Sequence, residues 1–408
     1  MKDEKKAPKL RFKVFTDDWE QCKLGDVATF SKGTGYSKSD LIETGSPIIL
    51  YGRLYTKYET KIQNVDTFVV PKAGSVVSKG GEVIVPGSGE TAQDISIASV
   101  VEPAGILLGG DLNIIYPNTD LDPTFLAITI SNGRPHFDMA RRAQGKSIVH
   151  LHNADLKQIL LKTPNLSEQK QICRIFESLD CTITLHEEKK RQLERFKSAL
   201  LQKMFADKSG YPVVRFKGFS VEWVQRKLGK ITDVRDGTHS SPHYVNNGYP
   251  LLTSKNVNNG RINYDGVNYI SKYDYTQINK RSKVDVNDIL MGMIGTIGNL
   301  AIIQEKPNFA IKNVALIKHT GSIDSQFLFH NLQTDHITNE LSSSMDGGTQ
   351  RFVSLKQIRN LLIVLPMLDE QAYIGTTFQI VDAIITLHNQ KLRLLRRIKQ
   401  SLLQKMFI

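Results

Sequence analysis

The side chains best suited to covalent chemistry fail, cluster by cluster, the spacing that chemistry needs. Gly145-Lys146-Ser147 has the ending of a phosphate-binding loop, but Ala140 stands where the first glycine belongs, and Arg141-Arg142 would fill a loop that must lie close to phosphate. Gly292, Gly295 and Gly298 have the wrong spacing for a dinucleotide turn and lead into a strand-like run, so they read as a hairpin with close backbone approach. Glu168-Gln169-Lys170 has the look of a nuclease motif's tail, yet it recurs as Glu370-Gln371-Ala372 without the lysine. A helix first turn accounts for both copies. His239 and His243 stand four apart, but Pro242 breaks the helix that would aim both at one metal. No Asn-Pro-Pro-aromatic tetrapeptide, the group with which amine-methylating enzymes hold their target, occurs. The expectation is a chain with no catalytic, cofactor-binding or metal-binding residues of its own.

What remains is binding. Among 408 residues, 53 Lys and Arg outnumber 41 Asp and Glu, a net charge of +12 that favours a polyanion, nucleic acid first. The 40% hydrophobic content is that of an ordinary soluble chain long enough for two or three domains. Cys22, Cys173 and Cys181 form neither a C-x-x-C pair nor an even framework, which fits a reducing compartment. No apolar run approaches the roughly 18 residues that span a bilayer. Met1-Lys2-Asp3-Glu4-Lys5-Lys6 is followed by no apolar signal core, so a cytoplasmic protein is expected.

Binding loops must be positioned, and the sequence supplies two copies of one long helix for that purpose. The first runs from Leu166-Ser167-Glu168-Gln169 to Leu200-Leu201-Gln202-Lys203-Met204-Phe205, and the second from Leu368-Asp369-Glu370-Gln371 to Leu402-Leu403-Gln404-Lys405-Met406-Phe407, 202 residues later. Spacings of four and three mark a seam through Ile172, Phe176, Leu179, Ile183, His186, Lys190, Leu193, Lys197, Leu200 and Met204. Its counterpart passes through Ile374, Phe378, Val381, Ile385, His388, Leu392, Leu395, Lys399, Leu402 and Met406. A two-helix coiled coil buries both stripes. At about 1.5 Å per residue each helix is roughly 58 Å long, the length of a spacer rather than of a core element. His186 and His388 fall near mid-seam; facing each other they would set register, and at the seam edge they would be half exposed.

The repeat extends upstream. Arg11-Phe12, Trp19 and Lys23-Leu24-Gly25 return as Arg215-Phe216, Trp223 and Lys227-Leu228-Gly229, now 204 residues on, so each half is one globular domain followed by one helix. Short β-branched runs punctuated by Gly or Asn, such as Glu82-Val83-Ile84-Val85 and Asn113-Ile114-Ile115-Tyr116, read as strands of mixed or antiparallel sheets. The expected fold is α+β: a charged flexible tail over residues 1–9, domains at 10–165 and 213–366, helices at 166–205 and 367–408, and a linker at 206–212. Antiparallel pairing of the helices would relate the halves by an approximate two-fold axis.

Two strand-rich domains, each ending in Pro-x-Leu-x-Glu-Gln and a helix closing in Leu-Leu-Gln-Lys-Met-Phe, with Trp-x4-Leu-Gly at the start of each half, resemble the specificity subunit of a type I restriction-modification enzyme. The likeness covers all but about the first ten residues. Asp236-Gly237-Thr238-His239 with Pro242, and Asp288-Ile289-Leu290-Met291 with Gly295-Thr296-Ile297-Gly298, resemble recurrent segments of its target-recognition domains. Domain one departs, having Lys32-Gly33-Thr34-Gly35-Tyr36 and Ser88-Gly89-Glu90-Thr91 in those places, which bears on its target sequence and not on its role. The resemblance implies a DNA-binding subunit that reads an asymmetric bipartite site, one half per domain, with the coiled coil setting the spacer. Two modification subunits would carry S-adenosylmethionine and methylate adenines, and restriction subunits using ATP and Mg²⁺ would cut unmodified DNA.

On that reading, lysines and arginines grip phosphates while other side chains reach base edges. In domain one the polar loops offer Tyr36, Lys38, Arg53, Arg134, Arg141, Arg142 and Lys146; in domain two they offer Thr238, His239, His243, Tyr244, Lys255, Asn256, Gln350 and Arg351. Gln144-Gly145-Lys146 and Gln350-Arg351 hold matching places ahead of each closing segment, and helix flanks such as Glu187, Glu188 and Arg191 are candidate docking points for the partners. Two rivals stand beside this reading: a single-chain DNA-modifying enzyme with duplicated domains, and a coiled-coil scaffold that binds no DNA.

Overall fold

The structure is a computed structural model that describes residues 7–145, 147–207, 209–258, 260–343, 345 and 351–407. It divides into two compact units, residues 1–186 with 391–408 and residues 187–390, so both cuts fall inside a long helix. The helices span Leu166–Met204 and Leu368–Met406. Among the described residues no helix is long and apolar enough to cross a membrane.

In the first unit a five-stranded sheet runs in the order Ala28–Lys32, Leu112–Pro117, Glu82–Pro86, Ser99–Val101, Lys61–Ile62, antiparallel except for its last pair. Side chains alternate across a strand, and here both faces are covered. Val83, Val85 and Ile115 pack with Phe125, Leu126, Phe176 and Phe407, while Ile84, Leu112 and Ile114 pack with Ile49, Leu54 and Leu108. That is why these strands read as continuous apolar runs. A second sheet orders Leu107–Leu108, Ser46–Ile49, Phe68–Val69 and Leu41–Ile42. The helix Pro123–Asn132 starts on Asp122, whose carboxylate accepts from the amides of Thr124 and Phe125, with proline in the first turn where its missing N–H costs nothing. Glu20–Lys23 pairs with Leu160–Thr163, tying the start of the domain to its end.

The second unit repeats this plan. One sheet orders Val234–Asp236, Val314–Ile317, Ile289–Gly292 and Leu300–Ile302; another orders Tyr244–Val245, Asn268–Ile270, Tyr249–Leu252 and Ala310–Ile311. Val224–Lys227 pairs with Leu362–Leu365, and the helix Ser325–Asn331 is capped by Asp324. Gly292, Gly295 and Gly298 lie on a hairpin, where a Cβ on Gly292 would stand 2.3 Å from the Thr296 carbonyl oxygen. The two tryptophans do the same work: Trp19 meets Phe125 edge-on at 5.8 Å, and Trp223 meets Phe327 at 5.8 Å.

Within each unit the two long helices run antiparallel. In the first, Lys399 pairs with Asp180 while Phe407 lies on Phe176 at 5.8 Å; in the second, Lys197 pairs with Asp382 at 2.7 Å while Phe205 lies on Phe378 at 5.5 Å. The numbers rise along one helix as they fall along the other. All twenty seam positions are buried or half-buried, His186 and His388 among the half-buried.

The Glu-Gln that starts each helix is more than a first turn. Glu168, fully buried, takes both oxygens to Arg11 at 2.8 and 2.7 Å, and Glu370 does the same with Arg215 at 2.7 and 2.7 Å. Gln169 accepts from the Asp122 amide and donates to the Pro164 carbonyl; Gln371 does so with Asp324 and Pro366. One dipeptide thus joins the upstream segment, the capped helix and the long helix.

Candidate nucleic-acid interface

In domain two the strand Val234–Asp236 ends in Asp236-Gly237-Thr238-His239. Only glycine fits at 237, because a Cβ there would stand 2.3 Å from the Ile311 carbonyl oxygen. Thr238 then runs beside Lys312, donating its amide to Ile311 at 3.0 Å and accepting from Asn313 at 3.1 Å. The Asp236 carboxylate is nearly buried and has two partners: one oxygen accepts from His239 Nε2 at 2.8 Å, the other from Arg281 Nη2. His239 Nδ1 lies 2.8 Å from the side-chain oxygen of Asn313, a residue held at φ +53°.

Asn313 also links this loop to its neighbours. Its carbonyl accepts from Ser254 Oγ at 2.8 Å; Ser254 Oγ accepts from the Met293 amide at 3.0 Å; the Met293 carbonyl accepts from the Val353 amide at 3.0 Å. Thr238 with His239, Lys255, and Arg351 therefore sit on three cross-linked segments, and His239, Lys255 and Arg351 are exposed. His243 and Tyr244 are exposed as well, but on or beside the edge strand Tyr244–Val245 of the other sheet. Asn256 is buried: its side chain accepts from the Thr253 amide at 2.9 Å and donates to the Asn263 carbonyl at 3.0 Å, so it shapes the turn that carries Lys255. Gln350 lies outside the described residues.

Domain one uses the same backbone path with other side chains. A Cβ on Gly33 would meet the Gly109 carbonyl oxygen at 1.9 Å, and Thr34 donates to Leu108 at 3.1 Å, but Lys32 stands where Asp236 does. Tyr36 is buried, its hydroxyl bonded to Ser75 and to the Lys72 amide, with the Lys72 ammonium 4.7 Å over its ring. Arg53 is drawn inward by Asp66 at 2.6 Å, Glu59 at 2.8 Å and the Asn64 carbonyl. Hydrogen bonds from Lys57 and Arg53 hold the Asp66 carboxyl down at about 2. Tyr36 and Arg53 thus brace loops where the sequence suggested outward-facing groups. Lys38 is exposed on a short turn. Arg134, Arg141 and Arg142 are exposed too, but on a helix, Arg134–Arg142, instead of a loop. Its proline stands in the first turn, where the missing N–H costs nothing. Lys146 lies outside the described residues.

The two matched loops ahead of the closing segments dock alike. Val149 pairs with Gly89 and the Leu151 amide reaches the Gly87 carbonyl, as Phe352 bridges to Ile294 and Val353 to Met293. Arg281 and Asn313 were invisible to sequence reasoning, since nothing in a linear pattern joins positions 236, 281 and 313; only Asp236-x-x-His239 carried a hint. Among the described residues no group of three or more His, Cys, Asp or Glu is placed to hold a metal ion.

Comparison with known proteins gives a consistent result. The sequence pattern of the type I restriction modification DNA specificity domain matches residues 16–195 and again 220–397. The chain is 22% identical over 400 residues to the type I restriction enzyme MjaVIII specificity subunit of Methanocaldococcus jannaschii, covering 95% of this chain and 91% of that one. It is 27% identical over 290 residues to the EcoBI specificity subunit of Escherichia coli, covering 64% and 60%. In fold it is similar to the crystal structure of the type I restriction-modification S subunit from M. genitalium, with TM-score 0.65, 16% identity and coverage of 98% and 99%.

Proposed function

Because this chain belongs to the type I restriction modification DNA specificity family, we propose that it is the subunit giving a restriction-modification complex its DNA sequence. It binds an asymmetric bipartite site, each domain reads one half, and the paired helices set the spacer. The observation that carries this reading is one scaffold built twice with different loop chemistry: Gly33-Thr34 and Gly237-Thr238 take the same path, while Lys32 replaces Asp236. A duplicated frame with diverged loops suits two different half-sites.

We assign residues 10–165 and 213–366 as the target-recognition domains, 166–205 and 367–408 as spacer helices, 206–212 as the linker and 1–9 as a tail. DNA contacts fall to the exposed Lys38, Arg134, Arg141 and Arg142 in domain one, and in domain two to the exposed His243, Tyr244, Lys255 and Arg351 with the half-buried Thr238. Chemistry belongs to the partners. Two modification subunits bring S-adenosylmethionine and methylate adenine, restriction subunits bring ATP and Mg²⁺, and the assembly works in the cytoplasm. Docking is supported by an exposed apolar stripe at heptad spacing, Tyr373, Ile380, Ile384 and Leu387, since exposed apolar surface of that regularity favours another helix.

Mapping methylated adenines across the host genome, with and without this gene, tests the reading. A bipartite motif should vanish with the gene; an unchanged methylation map would refute it. Failure of the chain to be retained on DNA at low salt with its modification partner would favour the scaffold alternative.

A further inference from the structure

The pair of side chains on Asp236 assigns a role that the reading above leaves open. Asp236 is nearly buried, and an ionised carboxylate in that position needs partners. His239 supplies one and is itself fully engaged, with Nε2 on Asp236 and Nδ1 on Asn313. Arg281 supplies the other from the last turn of the helix Lys272–Ser282, yet its side chain remains 63% exposed. His239 is as exposed, but both of its ring nitrogens are engaged, whereas Arg281 has donors to spare. It gives Asp236 a single Nη2 hydrogen and directs the rest of its planar fork to solvent, beside the loop that carries Thr238 and His239.

We propose that Arg281 is the residue of domain two that reads a guanine edge in the major groove, with Asp236 and His239 as the residues that position it. The proposal rests on the DNA-specificity reading. Arginine pairs with guanine through two parallel N–H donors to O6 and N7, a geometry that repays a rigidly held fork. Charge decides between base and phosphate. Asp236 cancels the net charge of Arg281, which weakens attraction to a phosphate, whereas directional donors to a base edge are retained. His239, both of whose ring nitrogens are occupied, is thereby a positioning residue rather than a reader.

The test uses the complex with its modification subunits and a panel of duplexes in which each base pair of the domain-two half-site is replaced in turn. Arg281→Ala should abolish discrimination at one G·C pair by roughly 10- to 100-fold, leaving the other positions, the salt dependence and the domain-one half-site unchanged. Arg281→Lys should not restore it, because lysine lacks the fork. Asp236→Asn should weaken discrimination at that same pair, and Asp236→Glu should restore part of it. Should Asp236→Asn disturb the fold, seen as a lowered melting midpoint, the exposed Arg281→Ala change alone decides. Equal loss for every duplex with a shallower salt slope would mean a phosphate contact and overturn the proposal, as would no change at all. A wild-type complex without sequence preference would instead overturn the DNA-specificity reading itself.

Discussion

At the scale of single residues, the strongest constraint lies in two buried carboxylates. Glu168 and Glu370 each face one arginine through a two-bond fork, and each stands in the first turn of a long helix, where the helix dipole also favours a negative charge. Removing the arginine leaves a buried charge without a partner, so Arg215→Met should destabilise its domain by about 3–5 kcal/mol. Denaturant midpoints measure this, and pairing the change with Glu370→Leu should recover most of the loss. A single-variant cost under about 1 kcal/mol would show that solvent reaches the carboxylate. Cysteine reactivity is a second residue-scale consequence. Burial, with the Asp122 carboxylate beside it, pushes the Cys173 thiol far up, while Cys181 is exposed. A maleimide at neutral pH should modify Cys181 and spare Cys173 until the chain is unfolded, read by mass spectrometry of peptides. The recurrence of Arg11-Phe12 as Arg215-Phe216 was plain in the sequence; its pairing with the Glu-Gln start was not, because more than 150 residues separate the partners.

At the scale of elements, the long helices were the most legible part of the chain. A heptad repeat over about 39 residues leaves few ways to bury its stripe, and the observed limits are Leu166–Met204 and Leu368–Met406. Elements without such a stripe are harder to read: the polar run 134–142 reads as loop yet forms a helix, and the sequence Ser75-Val76-Val77 reads as a strand yet contributes one bridge at Val77. Both are short, and tertiary contacts decide short elements. The direction of the helix pair rests on repeated ion pairs, Asp180 with Lys399 and Asp382 with Lys197. Reversing one member, as in Asp180→Lys or Lys399→Asp, should cost stability, and reversing both should return it, with a coupling of about 0.5–1 kcal/mol because the pair is partly exposed. Absence of coupling in this cycle would remove the pair as a register device. Asp382 also predicts an acid response. Burial raises its pKa, but the hydrogen bonds from His330 and Lys197 outweigh that and hold it below the ordinary carboxylate value. The stability it contributes is present above about pH 4 and is lost as pH falls through the lowered folded value. Asp382→Asn should therefore flatten the acid limb of the unfolding curve, and an unaltered limb would assign acid sensitivity elsewhere.

At the scale of the whole molecule, both long helices begin in one unit and end in the other, and neither unit is complete without both: Phe407 closes the core around Phe125 and Phe176, and Phe205 closes the core around Phe327 and Phe378. This interlocking was foreshadowed by the matching Lys-Met-Phe endings, but a sequence cannot say which core a helix end enters. It gives the helices a second duty beside spacing, since any change in their length must keep each terminal phenylalanine in its socket. Deleting one heptad, residues 184–190 from the first helix and 386–392 from the second, preserves the phase of both seams and leaves both phenylalanine sockets untouched. Seven residues at about 1.5 Å each remove roughly 10 Å of helix, which corresponds to about three base pairs at roughly 3.4 Å per step. The preferred spacer between half-sites should shorten by about that number, measured by methylation of a library of duplexes with every spacer length, while the bases read in each half stay the same. Retention of the original spacer by a folded double deletion would mean that loops or partner subunits, and not the paired helices, determine the separation.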